Sequence, residues 1–428
     1  MSGTLRERLS RISAFRPVVK REPLVTDTGN CRDDLLARIG GEIGRNHYGE
    51  YVVSRQWYAT PEICHAPAEV LRLLLPLKCD RIDEMLQHTI DSEKWLFLDT
   101  ETTGMAGGTG TYAFLVGLAW WESGGLRIEQ LFMRDHDEEH AVLLHLAERL
   151  QNRPVLVTFN GKSFDWPLLQ NRFRMTRQIE VPELAAHLDF LHPARQLWRL
   201  QIGSTRLTDL ERSVLGAESL AWSRLHDVDS SYIPDLYFAF LRAGAIDGVA
   251  GVFQHNRMDL RGLAALAGRI LQLMARPENV QSAPLECYAI SRLLARRREY
   301  SKARKGYERC LGTALPDPIA RKAKREAARL AKRERDFGRA IELWNELADS
   351  SEPSFEALEQ LAIYYERRER DYAQAVKITR RALTELRRPW SRGLVRSERH
   401  AELSARLKRR LLRVERKAEQ FPGLERLL

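Results

Sequence analysis

Two carboxylates two residues apart, Asp99 and Glu101, follow directly on the apolar run Trp95 to Leu98. Residues i and i+2 of a strand project to one face. If 95–101 is a strand, these acids stand side by side at the end of a segment too apolar to be exposed. Like charges that close raise each other's pKa unless a positive group lies between them. A divalent cation with oxygen ligands is one such group. A strand running into an acidic turn is the plainer alternative, and residues elsewhere must decide.

Three further stretches supply candidates. Val155–Phe159 is a short apolar strand followed by Asn160-Gly161-Lys162-Ser163-Phe164-Asp165, a turn that places Asp165 at or near the start of a helix. A helix cap is one use of such an acid. Asp189 follows another strand-like segment. The helical pattern 249–269 carries His255 and Asp259, one turn apart on a shared face. A surface ion pair would have the same spacing.

Four carboxylates on separate elements, Asp99, Glu101, Asp165 and Asp259, can hold two metal ions roughly 4 Å apart and clamp both reacting oxygens of a phosphodiester. All-oxygen ligation implies Mg²⁺ or Mn²⁺. Zinc is disfavoured, since no His/Cys cluster exists. His255, beside Asp259, has the ordinary pKa of a general base.

The elements around these residues alternate. An antiparallel strand pair, 112–121 and 126–134, follows the Gly-rich stretch 105–111, which lacks the spacing of a phosphate loop. Those glycines can let backbone approach the first carboxylates. Apolar positions 142, 143, 146, 147 and 150 have a helix period. Helices are also expected over 33–43, 166–175, 206–216 and 232–245. Residues 46–60 look extended, with His47 and Tyr48 either touching substrate or packing the N-terminal segment. This order implies an α/β sheet whose strand ends carry the acids.

The 428 residues carry a net charge of +10. Residues 281–428 hold 36 Lys and Arg against 22 Asp and Glu, while the remainder is mildly acidic. Acidic sites beside basic surfaces suit a nucleic-acid enzyme, and solvated Arg-rich helices would look the same. No apolar run approaches the roughly 20 residues of a membrane span. The start has no apolar stretch of the signal-peptide kind, and a cytoplasmic location is expected. Cys31, Cys64, Cys79, Cys287 and Cys310 form no C-x-x-C pair and are expected to be reduced.

Asp99-Thr-Glu101-Thr-Thr-Gly104, Asn160-Gly-Lys-Ser-Phe-Asp165 and His255-Asn-Arg-Met-Asp259 resemble the three motifs of the DEDD 3′–5′ exonucleases. Segments 187–195 and 207–216 resemble the strand and helix between them. The likeness covers about 86–275 and extends to the YprB-type ribonuclease H-like proteins. It implies a ribonuclease H-like mixed sheet flanked by helices, and a two-metal 3′–5′ exonuclease acting on the single-stranded 3′ end of DNA or RNA. The metal ligands would be Asp99, Glu101, Asp165 and Asp259, with His255 as the further catalytic residue and Asp189 structural or close to substrate. One departure stands out. The family has Tyr-x-x-x-Asp or His-x-x-x-x-Asp, whereas this chain has His255-x-x-x-Asp259. A one-residue offset turns a helical side chain by about 100°, so His255 can orient water in the tyrosine's place rather than take a proton.

Residues 284–386 repeat. Tyr300, Phe337 and Tyr372 begin alignable blocks with Ala303, Ala340 and Ala375 at one position. The spacing is close to the 34-residue tetratricopeptide period, and a last helix, 399–418, would cap the stack. Such repeats imply a protein partner, a nucleic acid or a lid on the site. The domains expected are an N-terminal extension (1–85) packing on the nuclease domain, a ribonuclease H-like domain (86–275) and an all-α tetratricopeptide-like helical domain (284–428). A non-catalytic adaptor that binds protein or nucleic acid is the alternative function.

Overall fold

The computed structural model describes residues 28–59, 71, 74, 82–104, 110–122, 124–216, 224, 227–275, 283–391 and 396–421. The Cys64-His65 pair, Cys79 and the glycines at 107 and 108 lie outside the described residues.

Strand β3 (Trp95–Thr102) is the pivot of the sheet. Strands β1 (Gly41–Asn46), β2 (Gly49–Ala59), β4 (Ala113–Glu122), β5 (Gly125–Phe132), β6 (Val155–Thr158) and β7 (Ala186–Asp189) join it in the order β1-β2-β5-β4-β3-β6-β7. Pairing is antiparallel from β1 through to β3 and parallel from β3 to β7. The carboxyl ends of β3, β6 and β7 therefore share one edge. Alternation along β3 sends Trp95 and Phe97 into one core and Leu96 and Leu98 into another, one on each face. Both faces are covered, which is why β3 reads as an uninterrupted apolar run.

Helix α1 (Thr28–Ile39) precedes the sheet. The helix expected over 33–43 stops at Ile39, because Gly40 takes the left-handed conformation at φ 62° and the chain turns into β1. The stretch expected to be extended becomes β2, between β1 and β5. Helices α2 (Ile82–Thr89), α3 (Glu139–Asn152), α4 (Asp165–Thr176) and α5 (Leu191–Ile202) follow in turn. The helix expected over 206–216 is a short α6 (Leu207–Leu210) continued by a π-helical turn, Glu211–Leu215, and closed by Gly216 at φ 62°. Then come α7 (Ile233–Ala243) and α8 (Ile246–Ala275). The 30 residues of α8 span about 45 Å at 1.5 Å per residue. The helix crosses the sheet, with Phe253 in one core and Leu260 and Leu263 in the other.

The C-terminal region is helical: α9 (Pro284–Arg296), α10 (Tyr300–Leu311), α11 (Asp317–Arg333), α12 (Phe337–Ala348), α13 (Phe355–Tyr364), α14 (Tyr372–Ser391) and α15 (Ser397–Gln420). Each packs on the next. The three repeated aromatics open α10, α12 and α14, and Ala303, Ala340 and Ala375 are fully buried. Two residues before each aromatic, Arg298, Arg335 and Arg370 take φ of 66°, 65° and 57°. The same left-handed corner thus recurs three times, although arginine carries a Cβ penalty there. One hydrophobic cluster runs from Trp95 and Phe97 under the sheet, through Trp198 and Leu263, to Leu403 and Leu407. Trp198 donates its indole N–H to Glu286 at 2.6 Å across the join. No described helix is long and apolar enough to cross a membrane.

Candidate active site

Asp99 and Glu101 lie on β3, Asp165 is the first residue of α4, and His255 and Asp259 sit on α8. The structure brings all five together at the edge where β3 and β6 end. Glu101 is buried, Asp99 and Asp165 are half-buried, and all three carboxyls are raised above their ordinary values. Burial pushes the Asp99 carboxyl well above its ordinary value, and the charges of Asp259, Glu101 and Asp165 push it further. Burial carries Glu101 up to about 8, helped by Asp259 and Asp165 and opposed by His255. Burial also raises Asp165, against the hydrogen bonds it accepts from Thr100.

Asp165, Asp99 and Asp259 are each held by a protein partner. Asp165 accepts from the Thr100 backbone N–H at 3.1 Å and from its hydroxyl at 2.6 Å. Asp99 accepts from the Asn256 amide at 2.8 Å. Asn256 is fully buried, and its own oxygen accepts from the Gln130 amide at 2.8 Å. Gly117 on β4 makes room for it, since a Cβ there would come within 2.1 Å of the Asn256 oxygen. Asp259 pairs with the guanidinium of Arg224. Arg224 also grips Glu211 with two N–H groups, at 2.6 and 2.8 Å, and Asp227 with one, at 2.7 Å. A Cβ at position 262 would meet the Glu211 oxygen at 1.9 Å, so Gly262 seats that acid.

His255 faces Asp227 through Nδ1 at 2.7 Å, while Nε2 lies 3.4 Å from the Ser230 hydroxyl and 3.6 Å from Asp259. Burial acts to lower its pKa. Asp227, Asp259 and Glu101 outweigh that and carry it up to about 9. At neutral pH the ring is a cation that donates from both nitrogens. In that state it cannot take a proton from water.

Asp189 has a different setting. Its carboxylate accepts from the backbone N–H groups of Asn160 (2.8 Å), Leu191 (3.1 Å) and Lys162 (3.2 Å). It fixes the loop that ends in Asp165, with Asn160 at φ 71°. His47 and Tyr48 are remote from this chemistry: their rings touch each other, and Tyr48 packs near His140 of α3. Sequence reasoning missed Arg224, Asp227, Glu211 and Asn256. Asn256 sits inside the third motif and was within reach. Arg224 and Asp227 come from a loop with no period or strand end to mark them.

Among the described residues, no three His, Cys, Asp or Glu side chains stand in a ready metal-holding arrangement. Asp165, Asp99 and Asp259 bond Thr100, Asn256 and Arg224 respectively. In type and charge the donor set still suits a hard divalent cation, because it consists of carboxylates that repel one another.

A family profile described as the RNase_H superfamily matches residues 96–271. The chain carries an RNase H superfamily domain. Domains of this superfamily are typically nucleases. The match begins with β3 and ends within α8, and so includes every residue of the acidic cluster. A Bacillus subtilis (strain 168) protein named "Uncharacterized protein YprB" is 28% identical over 309 residues, covering 70% of this chain and 73% of its own. That span is longer than the RNase H-like domain alone.

Proposed function

We propose that the protein is a divalent-metal-dependent nuclease whose RNase H-like domain hydrolyses phosphodiester bonds of DNA or RNA. The 3′–5′ exonuclease polarity and the two-metal mechanism follow from its likeness to the DEDD enzymes. The observation that carries the reading is one cluster in which burial raises Asp99, Glu101 and Asp165 alike, with Glu101, Asp165 and Asp259 pushing Asp99 further and Asp165 and Asp259 pushing Glu101. Desolvated acids gathered in one cluster are costly in a resting protein, and binding a cation offsets that cost.

Asp99, Glu101, Asp165 and Asp259 would hold the ions. Bound Mg²⁺ or Mn²⁺ would supply an activated water and offset charge on the leaving oxygen. The chain's own residues do the positioning. Asn256 fixes Asp99, Thr100 fixes Asp165, and Asp189 fixes the loop behind it. His255, held protonated by Asp227, orients water or phosphate as a donor. This favours the orienting role over proton abstraction. Arg224 balances Asp259, Asp227 and Glu211, and Asp259 must leave it in part to take up a ligand role.

The test is cleavage of end-labelled single- and double-stranded DNA and RNA with Mn²⁺, against EDTA and against Asp99→Ala. Metal-dependent shortening from the 3′ end by the wild type alone supports the reading. Identical behaviour of both proteins on every substrate defeats it. The Arg224–Asp259 ion pair favours a second reading, a binding adaptor on a nuclease-like fold. In that case the helical region, if its repeats are tetratricopeptide-like, would take a protein or nucleic-acid partner.

A further inference from the structure

A cleft of about 600 Å³ lies where α5 of the RNase H-like domain meets α9 and α11 of the helical region. Leu200 forms the wall on the α5 side. Tyr288 and Tyr307, both buried, form the floor, with ring centroids 5.9 Å apart. The rim is cationic. Arg292 and Arg296 are one turn apart on α9, and Lys322, Arg325 and Arg329 follow one face of α11. Among the described residues Glu326 is the one acid lining the cleft.

The charges are poorly matched within the protein. Arg329 pairs with Glu326 at 2.8 Å, and Arg325 reaches Glu356 only at 4.0 Å. Among the described residues Arg292, Arg296 and Lys322 form no ion pair. Arg292 lies 5.7 Å from the centre of the Tyr288 ring. Elsewhere on these helices arginines do find carboxylates: Arg304 holds Glu334 at 2.8 Å, and Arg339 holds Glu308 at 2.6 Å. Two basic stripes facing one cavity, three of their members unpaired, repel each other unless an anion lies between them.

We propose that this cleft is a second seat for single-stranded nucleic acid, gripping the phosphate backbone away from the carboxylate cluster. A polynucleotide rather than an acidic peptide is favoured for two reasons. The wall is Leu200, near the far end of α5, whose first turn follows Asp189 at the catalytic edge; the cleft thus lies about 14 Å along that helix from the acids' edge, a span for a continuing strand to bridge. The rim is also mostly arginine, whose planar fork matches phosphate oxygens in pairs. The ligand class rests on the nuclease reading above, whereas the anion site does not. Held at the cleft and at the acids, a substrate would be engaged at two points, which favours long strands over short ones.

The test uses the full chain in EDTA, so that nothing is cut. Fluorescein-labelled oligothymidylate, oligouridylate and a polyglutamate peptide are titrated by anisotropy at several salt concentrations. The triple variant R292Q/R296Q/K322Q should bind either oligonucleotide at least about tenfold more weakly, with a log–log salt slope shallower by about 2, as loss of three phosphate contacts predicts. Circular dichroism and the melting curve check its fold. If the triple variant is unfolded, the exposed single changes Lys322→Gln and Arg329→Gln are read instead, each shallower by a fraction of a unit. Unchanged oligonucleotide binding in a folded variant overturns the proposal. So does polyglutamate binding as tightly as the oligonucleotides. Wild type that binds but never cuts with Mn²⁺ sinks the nuclease reading and leaves the cleft standing. Wild type that cuts, with a variant that binds normally, does the reverse.

Discussion

Two carboxylate sites on one sheet, on β5 and on β3 with β4 between them, behave oppositely. Glu129 on β5 is completely enclosed, yet its pKa is driven down. Burial acts to raise it, but His145 at 2.7 Å, Arg149 at 2.8 and 2.9 Å and Arg55 at 2.7 Å more than compensate. Asp99 and Glu101 on β3 are desolvated as well and are driven up, because burial is there reinforced by neighbouring acids. Desolvation does not distinguish the two sites. The sign of the surrounding charge does. A carboxylate encircled by cations is finished internally and holds the fold. Carboxylates that have other carboxylates among their neighbours would, in the reading proposed above, be completed by a cation from outside, and the excess cationic charge at the cleft beside α5 poses the mirror-image case.

The comparison can be broken most forcefully at Glu129. Glu129→Gln strips the counter-charge from two arginines and should cost about 3–5 kcal/mol of stability. Urea unfolding checks this, and a loss below 1 kcal/mol would undo the claim that the network holds the fold. Gly117→Ala comes next. The added methyl drives into Asn256 and should cost about 1–3 kcal/mol, with cleavage lost in the fraction that stays folded. A variant as stable and as active as wild type would remove Asn256 from the site's support. Glu101→Gln should move stability the other way. In EDTA, relief of repulsion should raise it by about 1 kcal/mol, while metal-dependent cleavage disappears. A drop in melting temperature would mean that the acid cluster is structural, like Glu129.

The smallest effect concerns Glu366, in the π-helical turn between α13 and α14. Burial acts to raise its pKa, but Arg413, Lys417 and Arg410 bring it to about 2 from an ordinary 4.5. A depressed acid contributes stability that is complete above the ordinary value and is lost as pH falls through about 2. Melting temperature followed between those limits should decline in the wild type and decline less in Glu366→Gln. Parallel curves would show that the ion pairs of Glu366 carry no net weight.

Asp99, Glu101 and Asp165 were legible because they end an apolar run or open a helix, and apolar runs of that kind survive any tertiary context, whereas Asp259, in mid-helix, was marked only by its spacing from His255. The sheet core was legible for the same reason, from Trp95–Leu98 and Val155–Phe159. The limit of the first helix was misread because Gly40 acts through one backbone angle rather than through a pattern. Arg224 and Asp227 were not legible at all. Their partners lie on α6 and α8, and only the folded chain states which loop cation meets which helix acid. The three left-handed arginines were equally hidden, since nothing in their side chains announces a conformation suited to glycine.

Gly117 deserves a last consequence. The site depends on a missing methyl group, on a strand that contributes no ligand and no proton. A change there leaves every acid in place, so a catalogue of catalytic residues would score it as harmless. Related sequences should therefore vary at 117 only together with 256, as a linked pair. A glycine at the one and an amide at the other would be inherited as a single trait, and their separation would identify lineages in which the acidic cluster no longer does chemistry.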